Sequence, residues 1–443
     1  MKPRDHSPEK PVLRIDALEI LDAQGVRGRT SLLAERVDNL SLAWRVLACG
    51  RGEDLGHHPA APYAKRLDLS DILLLPGLVN AHTHLDLTHI GPQPHDPDQG
   101  FVAWVDMVRN RRRSEPDAIA ESVRRGIELS IAGGTIAIGD IAGAARGQQT
   151  LAPREALLAS PLMGVSFIET FGIGLHRPTS AQRIQSFIEN HRDAFLQRGR
   201  VRLGLQPHAP NTVELSYYHW VVDLAEQLDV PVCTHLAETP EEREFIATGT
   251  GPQRELLERL GVWHDSILQH VGRGLHPTKH IETVLSRRPF LVAHCNDASD
   301  EAIDILARTD TSVAYCPRAS SYFGTDRHFG PHRYREMLSA GVNVCLGTDS
   351  IVNLPRSACD PARGISVLDE MRYLYRRDRT HPLQLLRMAT THGAMALQLD
   401  PALFLFREGH ETAAIFAVAT GGSGGTDPLQ AVLGKDAPGE ILR

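Results

Sequence analysis

Along most of the chain, short apolar runs alternate with segments of helical period. From Ile72 to Val79 the residues are almost continuously apolar, as in a strand buried on both faces. Further runs occupy Gly134 to Ile141, Leu162 to Thr170, Val201 to His208, Val230 to Leu236, Phe290 to Cys295, Ser312 to Pro317 and Val342 to Thr348, which makes eight. The intervening helices carry start signals. Ser114 and Asp117 resemble a capping box before Ala118 to Ala132, Thr239-Pro240 with Glu242 at the third helical position is a better one, and Ser299-Asp300-Glu301 puts acids in a first turn. Eight buried strands alternating with helices predict an α/β fold, a closed parallel (β/α)8 TIM-like barrel. A doubly wound open sheet fits less well, because no dinucleotide fingerprint accompanies the eight units.

The ends have a different rhythm. Residues 12 to 70 read as short strands such as Val12 to Ile15 and Trp44 to Ala48, divided by glycine and polar breaks. Beyond the last barrel strand, Ile365 to Arg377 and Pro382 to Leu397 have helical period. Ala413 to Ala419 is extended and precedes the flexible Gly421 to Gly425. Strand-like pieces at both ends predict a small β-sandwich domain built from residues 1–73 and 398–443, flanking a barrel over 74–397.

Composition narrows the function. With 443 residues, 42% of them hydrophobic and 23% charged, the chain has material for a large core. A net charge of −7 argues against a nucleic-acid partner, and the basic run Arg109 to Arg113 reads as a solvated helix face. The six cysteines form no Cys-x-x-Cys pair, a reduced pattern. Met1 to Pro11 is polar, without the apolar core of a signal peptide, and no run reaches the roughly 18 apolar residues of a membrane span. The expectation is a cytoplasmic protein with a small-molecule substrate, no nucleic acid and no membrane; a homodimer is compatible with it.

Chemistry-bearing residues collect where the apolar runs stop. His82 and His84, two apart on one strand, share a face. His208 closes the fourth run, His235 and Glu238 follow the fifth, His294 the sixth and Asp349 the eighth. Barrels of this type place catalytic groups at the C-terminal ends of strands. Singly, each residue reads as a cap or hydrogen-bond partner; their concurrence points to a metal site. Three imidazoles and one carboxylate suit one divalent metal ion, zinc first, with iron or manganese also fitting. Such an ion brings the pKa of bound water down to about 7. Glu238 is then placed to pass a proton between water and substrate. His294 can polarise the attacked centre or hold the hydroxide, and Asp349 can bind metal and orient the nucleophile.

His82-Thr83-His84, His235-Leu236-Ala237-Glu238, Ala293-His294-Cys295 and Gly347-Thr348-Asp349-Ser350 resemble the amidohydrolase superfamily. They are most similar to its mononuclear deaminase and chlorohydrolase branch, the cytosine, guanine and S-adenosylhomocysteine deaminase relatives. The resemblance runs from about Leu74 to Leu397. It implies zinc or iron held by His82, His84, His235 and Asp349, with Glu238, His294 and Asp349 handling protons and His208 set against the substrate. Binuclear relatives bridge two metals with a carboxylated lysine; lysine here occurs only at 2, 10, 65, 279 and 435, none closing a core strand, which implies one metal. Phe101 to Trp104, Phe167 to Gly172 and His235 to Phe245 are similar to aminodeoxyfutalosine deaminases.

Tyr315 to Ser320 and Ser350 to Asn353 depart from the branch, lacking its usual Ser-Asn pairs, and arginines follow Trp104 where S-adenosylhomocysteine deaminases place a ribose-binding acid. The reading is hydrolytic deamination of an amino-substituted heterocycle, purine or nucleoside-like, aminodeoxyfutalosine included. Hydrolysis of a cyclic amide or a carbon–halogen bond stays open, as does a catalytically silent metal-binding homologue. Trp104 is a candidate substrate contact, although Phe101 and Trp104 at i and i+3 also suit a helix packing face. His57, His58, His328 and His332 read as exposed loop histidines, while His89 and His95 border the pocket in a less favoured reading.

Overall fold

Leu73, Leu74, Leu75, Leu78 and Val79 are all completely buried, yet the run they belong to is two strands rather than one. The computed structural model describes residues 11–38, 41–422 and 425–443; Met1 to Lys10 of the polar N-terminal stretch and Ser423 and Gly424 of the glycine-rich segment lie outside the described residues. The first strands are β1 (Val12–Ile20), β2 (Ser31–Arg36), β3 (Trp44–Gly50) and β4 (Lys65–Pro76). At Gly77 the chain leaves β4 and enters β5 (Leu78–Thr83), which belongs to another sheet. A Cβ at Gly77 would stand 2.6 Å from Ile136 Cγ2 and 3.0 Å from the Ala414 Cβ, so the crossing between sheets needs a residue without a side chain. Periodicity cannot reveal such a break, because both strands are apolar at the junction.

The remaining barrel strands are β6 (Thr135–Ala142), β7 (Met163–Thr170), β8 (Val201–Pro207), β9 (Cys233–Leu236), β10 (Leu291–His294), β11 (Ser312–Tyr315) and β12 (Val344–Leu346). They pair in parallel as β5-β6-β7-β8 and β9-β10-β11-β12. Parallel bridges Leu205–Val232 and Thr83–Asp349 join the two halves at both seams, giving the closed eight-stranded barrel expected from the sequence. At the second seam Thr348 N and Asp349 N both donate to the His82 carbonyl, at 3.1 Å each. One hydrogen-bonded seam therefore fixes two prospective site residues relative to each other.

Both ends of the chain build the small β domain, through β13 (Glu411–Thr412), β14 (Ile415–Ala419) and β15 (Gly439–Ile441). Its strands form one hydrogen-bonded seven-stranded series, in the order β13-β3-β2-β1-β4-β14-β15, and Ile15, Leu32, Val46, Leu74 and Ile415 from five of them share one core. The link is β4, which pairs in parallel with β1 on one edge and antiparallel with β14 on the other. A C-terminal helix, Pro428–Gly434, was not anticipated; the Val432 carbonyl accepts from Arg372 Nε of helix Val367–Asp378 at 3.1 Å.

Helix starts follow the capping chemistry in two of three cases. Thr239 and Ser299 are N-caps whose hydroxyls accept from Glu242 N and Ala302 N. The Ser114 box does not form: Pro116 takes the first helical position, so Glu115 is the N-cap of Pro116–Ala132, without a side-chain bond. The second predicted C-terminal helix is divided into Pro382–Met388 and Thr391–Ala396. Among the described residues no helix is long and apolar enough to cross a membrane.

Candidate metal centre and active site

The expected residues meet at the C-terminal mouth of the barrel. His84 Nε2 lies 3.5 Å from Asp349 Oδ1 and 3.3 Å from His235 Nε2, and His82 Nε2 is 3.9 Å from the same Asp349 oxygen. The His82 ring sits at the centre, edge-on to His84, His235 and His294 at 5.1, 5.0 and 5.3 Å between centroids. Donor atoms of three trios lie within 4.8 Å of one another: His82, His235 and His294; His82, His84 and Asp349; and Glu238, His294 and Asp349. Glu238 Oε1 is 3.5 Å from His294 Nε2.

Secondary structure explains why these side chains point inward. His82 and His84 alternate with Thr83, whose hydroxyl donates to the Asp349 carbonyl at 2.8 Å. Asn80, fully buried, braces the seam below, donating to Thr348 Oγ1 at 2.7 Å and accepting from Thr348 N at 3.0 Å. The His208 carbonyl lies 3.0 Å from His235 Nδ1 and so accepts its proton, which leaves Nε2 bare toward the centre.

Burial sets the charge states. His82, His84 and His294 are held well below the usual imidazole range, first by desolvation and then by the neighbouring His235. His235 and His208 are lowered to about 3, again chiefly by burial. All five rings are thus neutral and offer lone pairs. Burial pushes Asp349 up to about 7, and it drives Glu238 well above the carboxylate range, with the Asp349 charge adding to the effect. The buried His82 Nε2 has no hydrogen-bond partner among the described residues. Neutral imidazole nitrogens facing one another and a carboxylate oxygen at 3.3–3.9 Å repel unless a cation sits between them, so the donor set fits a divalent metal.

The amidohydrolase family model matches residues 73–420. The chain belongs to the amidohydrolase family. Members are metal-dependent hydrolases, in keeping with the donor cluster. A 5-methylthioadenosine/S-adenosylhomocysteine deaminase of Moorella thermoacetica is 29% identical over 75% of this chain and 70% of its own length. An aminodeoxyfutalosine deaminase of Deinococcus radiodurans is 29% identical over 70% of each chain. The fold is shared with Helicobacter pylori aminofutalosine deaminase solved with methylthio-coformycin, at a TM-score of 0.71 and 19% identity, covering 96% of this chain and 97% of that one.

Around this family centre lie the other candidates. His208 lies between His235 and Phe171, its ring tilted to both at 4.9 and 4.8 Å between centroids, and its Nε2 is 4.0 Å from Glu169 Oε1. Trp104, on helix Phe101–Arg111, packs on Phe101 and Phe323 and on the cluster of Leu87, Val108 and Val352, from loops that follow β5 and β12. It is therefore a packing residue of that cluster. His95 stacks on Tyr322 at 5.0 Å, and His89 is engaged with Ser122 and the Arg111 carbonyl.

Several residues were missed. His332 is no exposed loop histidine: its ring stacks on Tyr315 at 3.7 Å and its Nε2 donates to the His294 carbonyl at 2.8 Å. Its position in an irregular stretch between two glycines gave no hint of this. Asn353, with its amide turned to satisfy both ends, donates to Asp349 Oδ2 at 3.3 Å. Glu242, read as a helix cap, sends its carboxylate back to Ala237 N at 3.0 Å and Glu238 N at 2.8 Å. Arg112 joins buried Asp86 at 2.7 Å to Glu169 at 3.5 Å beside His208. The arginine run pointed there, but as a solvated face.

Proposed function

We propose that this protein is a hydrolytic deaminase of an amino-substituted heterocycle, purine or nucleoside-like, working with one divalent metal ion held by His82, His84, His235 and Asp349. Zinc is the first choice, on the chemistry of an imidazole-rich donor set with one carboxylate. The ion supplies, when bound, activation of water at neutral pH. The observation that carries the reading is Glu238: a buried carboxyl kept protonated by desolvation, sharing one centre with His294 and Asp349. Attack of water on the amine-bearing carbon needs a proton at the neighbouring ring nitrogen, and Glu238 delivers it. Glu238 then takes a proton from the attacking water and passes it to the amine, which leaves as ammonia, and the second water proton returns to Glu238 as the carbonyl forms. His294 Nε2 polarises the attacked carbon's surroundings, while Asp349 orients the attacking water. His208 and Trp104 flank the heterocycle. The relatives named as 5-methylthioadenosine/S-adenosylhomocysteine and aminodeoxyfutalosine deaminases support the same reaction class. Four buried free cysteines support a reducing, cytoplasmic setting.

The test is metal analysis combined with an ammonia-release screen over aminopurines, adenosine derivatives, aminodeoxyfutalosine and cytosine. Glu238→Gln should retain the metal and lose roughly 10²–10⁴-fold in kcat, the usual yield of a positioned proton carrier. Wild-type turnover in that variant would remove Glu238 from the reaction. Turnover of dihydroorotase-like or triazine substrates without ammonia from any aminated base would favour the cyclic-amide or carbon–halogen chemistry.

A further inference from the structure

The peptide of Glu238 is gripped on both sides. Glu242, in the first turn of helix Pro240–Thr248, places one carboxylate oxygen on Ala237 N and the other on Glu238 N, at 3.0 and 2.8 Å. An ordinary capping box would return that carboxylate to the N-cap residue; here it reaches one and two residues further back. On the other face, Asn296 Nδ2 donates to the Glu238 carbonyl at 3.0 Å, and the Asn296 side-chain oxygen accepts from Ser320 Oγ at 2.6 Å. Glu242, Asn296 and Ser320 are all buried, and they come from three different elements. Between the grips the backbone is strained, with Ala237 at φ 52°, a conformation that a non-glycine residue holds only when its surroundings enforce it.

We propose that Glu242 and Asn296 are positioning residues, which fix where the Glu238 carboxyl stands by holding its backbone N–H and C=O from opposite sides. The inference rests on the reading of Glu238 as proton carrier. Proton transfer tolerates little displacement, and a misplacement of about 1 Å costs on the order of 10²-fold. Neither residue need touch the substrate, so its loss should appear in kcat rather than in KM.

Four variants test this, with adenosine and 5-methylthioadenosine as substrates and metal content and melting transition measured alongside. Asn296→Ala should lower kcat by roughly 10–100-fold with KM within about threefold and the metal retained. Asn296→Asp keeps the volume and the Ser320 bond but replaces the donor by an acceptor, so it should fall as far. Ser320→Ala loosens only the outer bond and should cost less than about fivefold, and Glu242→Gln, which keeps one acceptor oxygen, should fall between. The proposal is overturned if kcat stays within twofold in both Asn296 variants. It is equally overturned if kcat falls only in step with metal loss or a lowered melting transition, or if KM rises while kcat holds. Normal turnover in Glu238→Gln, or no ammonia from any substrate with wild type, would instead sink the deaminase reading itself.

Discussion

Replacing Arg112 by methionine should destabilise the protein by about 3–5 kcal/mol, the typical cost of removing one partner from a buried ion pair. The guanidinium is 15% exposed and binds two carboxylates that are each 2% exposed, Asp86 at 2.7 Å and Glu169 at 3.5 Å. It lies against Gly143 so closely that a Cβ there would sit 1.2 Å from Nη2. Desolvation already raises the Asp86 pKa, and Arg112 is the main influence that opposes the rise. Without the cation, the two carboxyl groups stay buried, and the Ala144 N–H, at 2.8 Å from Glu169, is the hydrogen bond that remains to them among the described residues. At about 2.1 cal/mol/K per residue, 443 residues give an unfolding entropy near 0.9 kcal/mol/K, so the loss corresponds to a fall in Tm of about 3–5 °C. Differential scanning calorimetry of metal-loaded protein reads this directly. The double variant Arg112→Met/Asp86→Asn removes both members of the closer pair and should recover at least about half of the loss. A single variant melting within about 1 °C of wild type, or a double variant no better than the single, would refute the argument.

Gly77→Val should cost at least about 1–3 kcal/mol, because its side chain must displace Ile136 or Ala414 at the crossing from β4 to β5; an unchanged urea midpoint would show that the junction can give. His280, 7% exposed and far from the metal centre in sequence, is lowered to about 4 by burial, helped by His270 and Arg273. The folded protein keeps it neutral while the unfolded chain protonates it near 6.5, so its stabilisation is present above pH 6.5 and lost as pH falls toward 4. About 2 kcal/mol should therefore disappear between pH 7 and pH 5, and His280→Gln should flatten the difference between urea unfolding free energies at those two pH values. Equal pH dependence in variant and wild type would count against it.

The barrel and the proposed metal donors were legible because two local signals coincide: a run of residues buried on both faces, and a polar residue where the run stops. His235 and Asp349 are both of this kind. What was not legible depends on contacts distant in sequence. Whether Ile72 to Val79 is one strand or two turns on the Ile136 and Ala414 side chains above Gly77. That the small domain's strands form one series depends on β14 pairing with β4 across more than 300 residues. His332 sits in an irregular segment and Asn353 ends the single 3-10 turn Ile351–Asn353, too short for any period to mark which side chain faces inward.

The strand ends also show why the site residues stand where a propensity argument would put glycine. His294 has φ 74°, Cys295 50° and Asp349 53°, in the left-handed region that costs an L-residue on the order of 1–3 kcal/mol. Glycine would relieve that strain but would supply no imidazole or carboxylate. Neighbouring backbone bonds hold the conformation instead: Asp349 N donates to the His82 carbonyl at 3.1 Å and Cys295 N to the Leu236 carbonyl at 2.9 Å. At each turn, then, bonds between neighbouring barrel strands stabilise a backbone that aims a functional group across the mouth. Strain, strand pairing and chemistry belong to the same few residues, which is why the side chains converge although they enter from strands far apart in the chain.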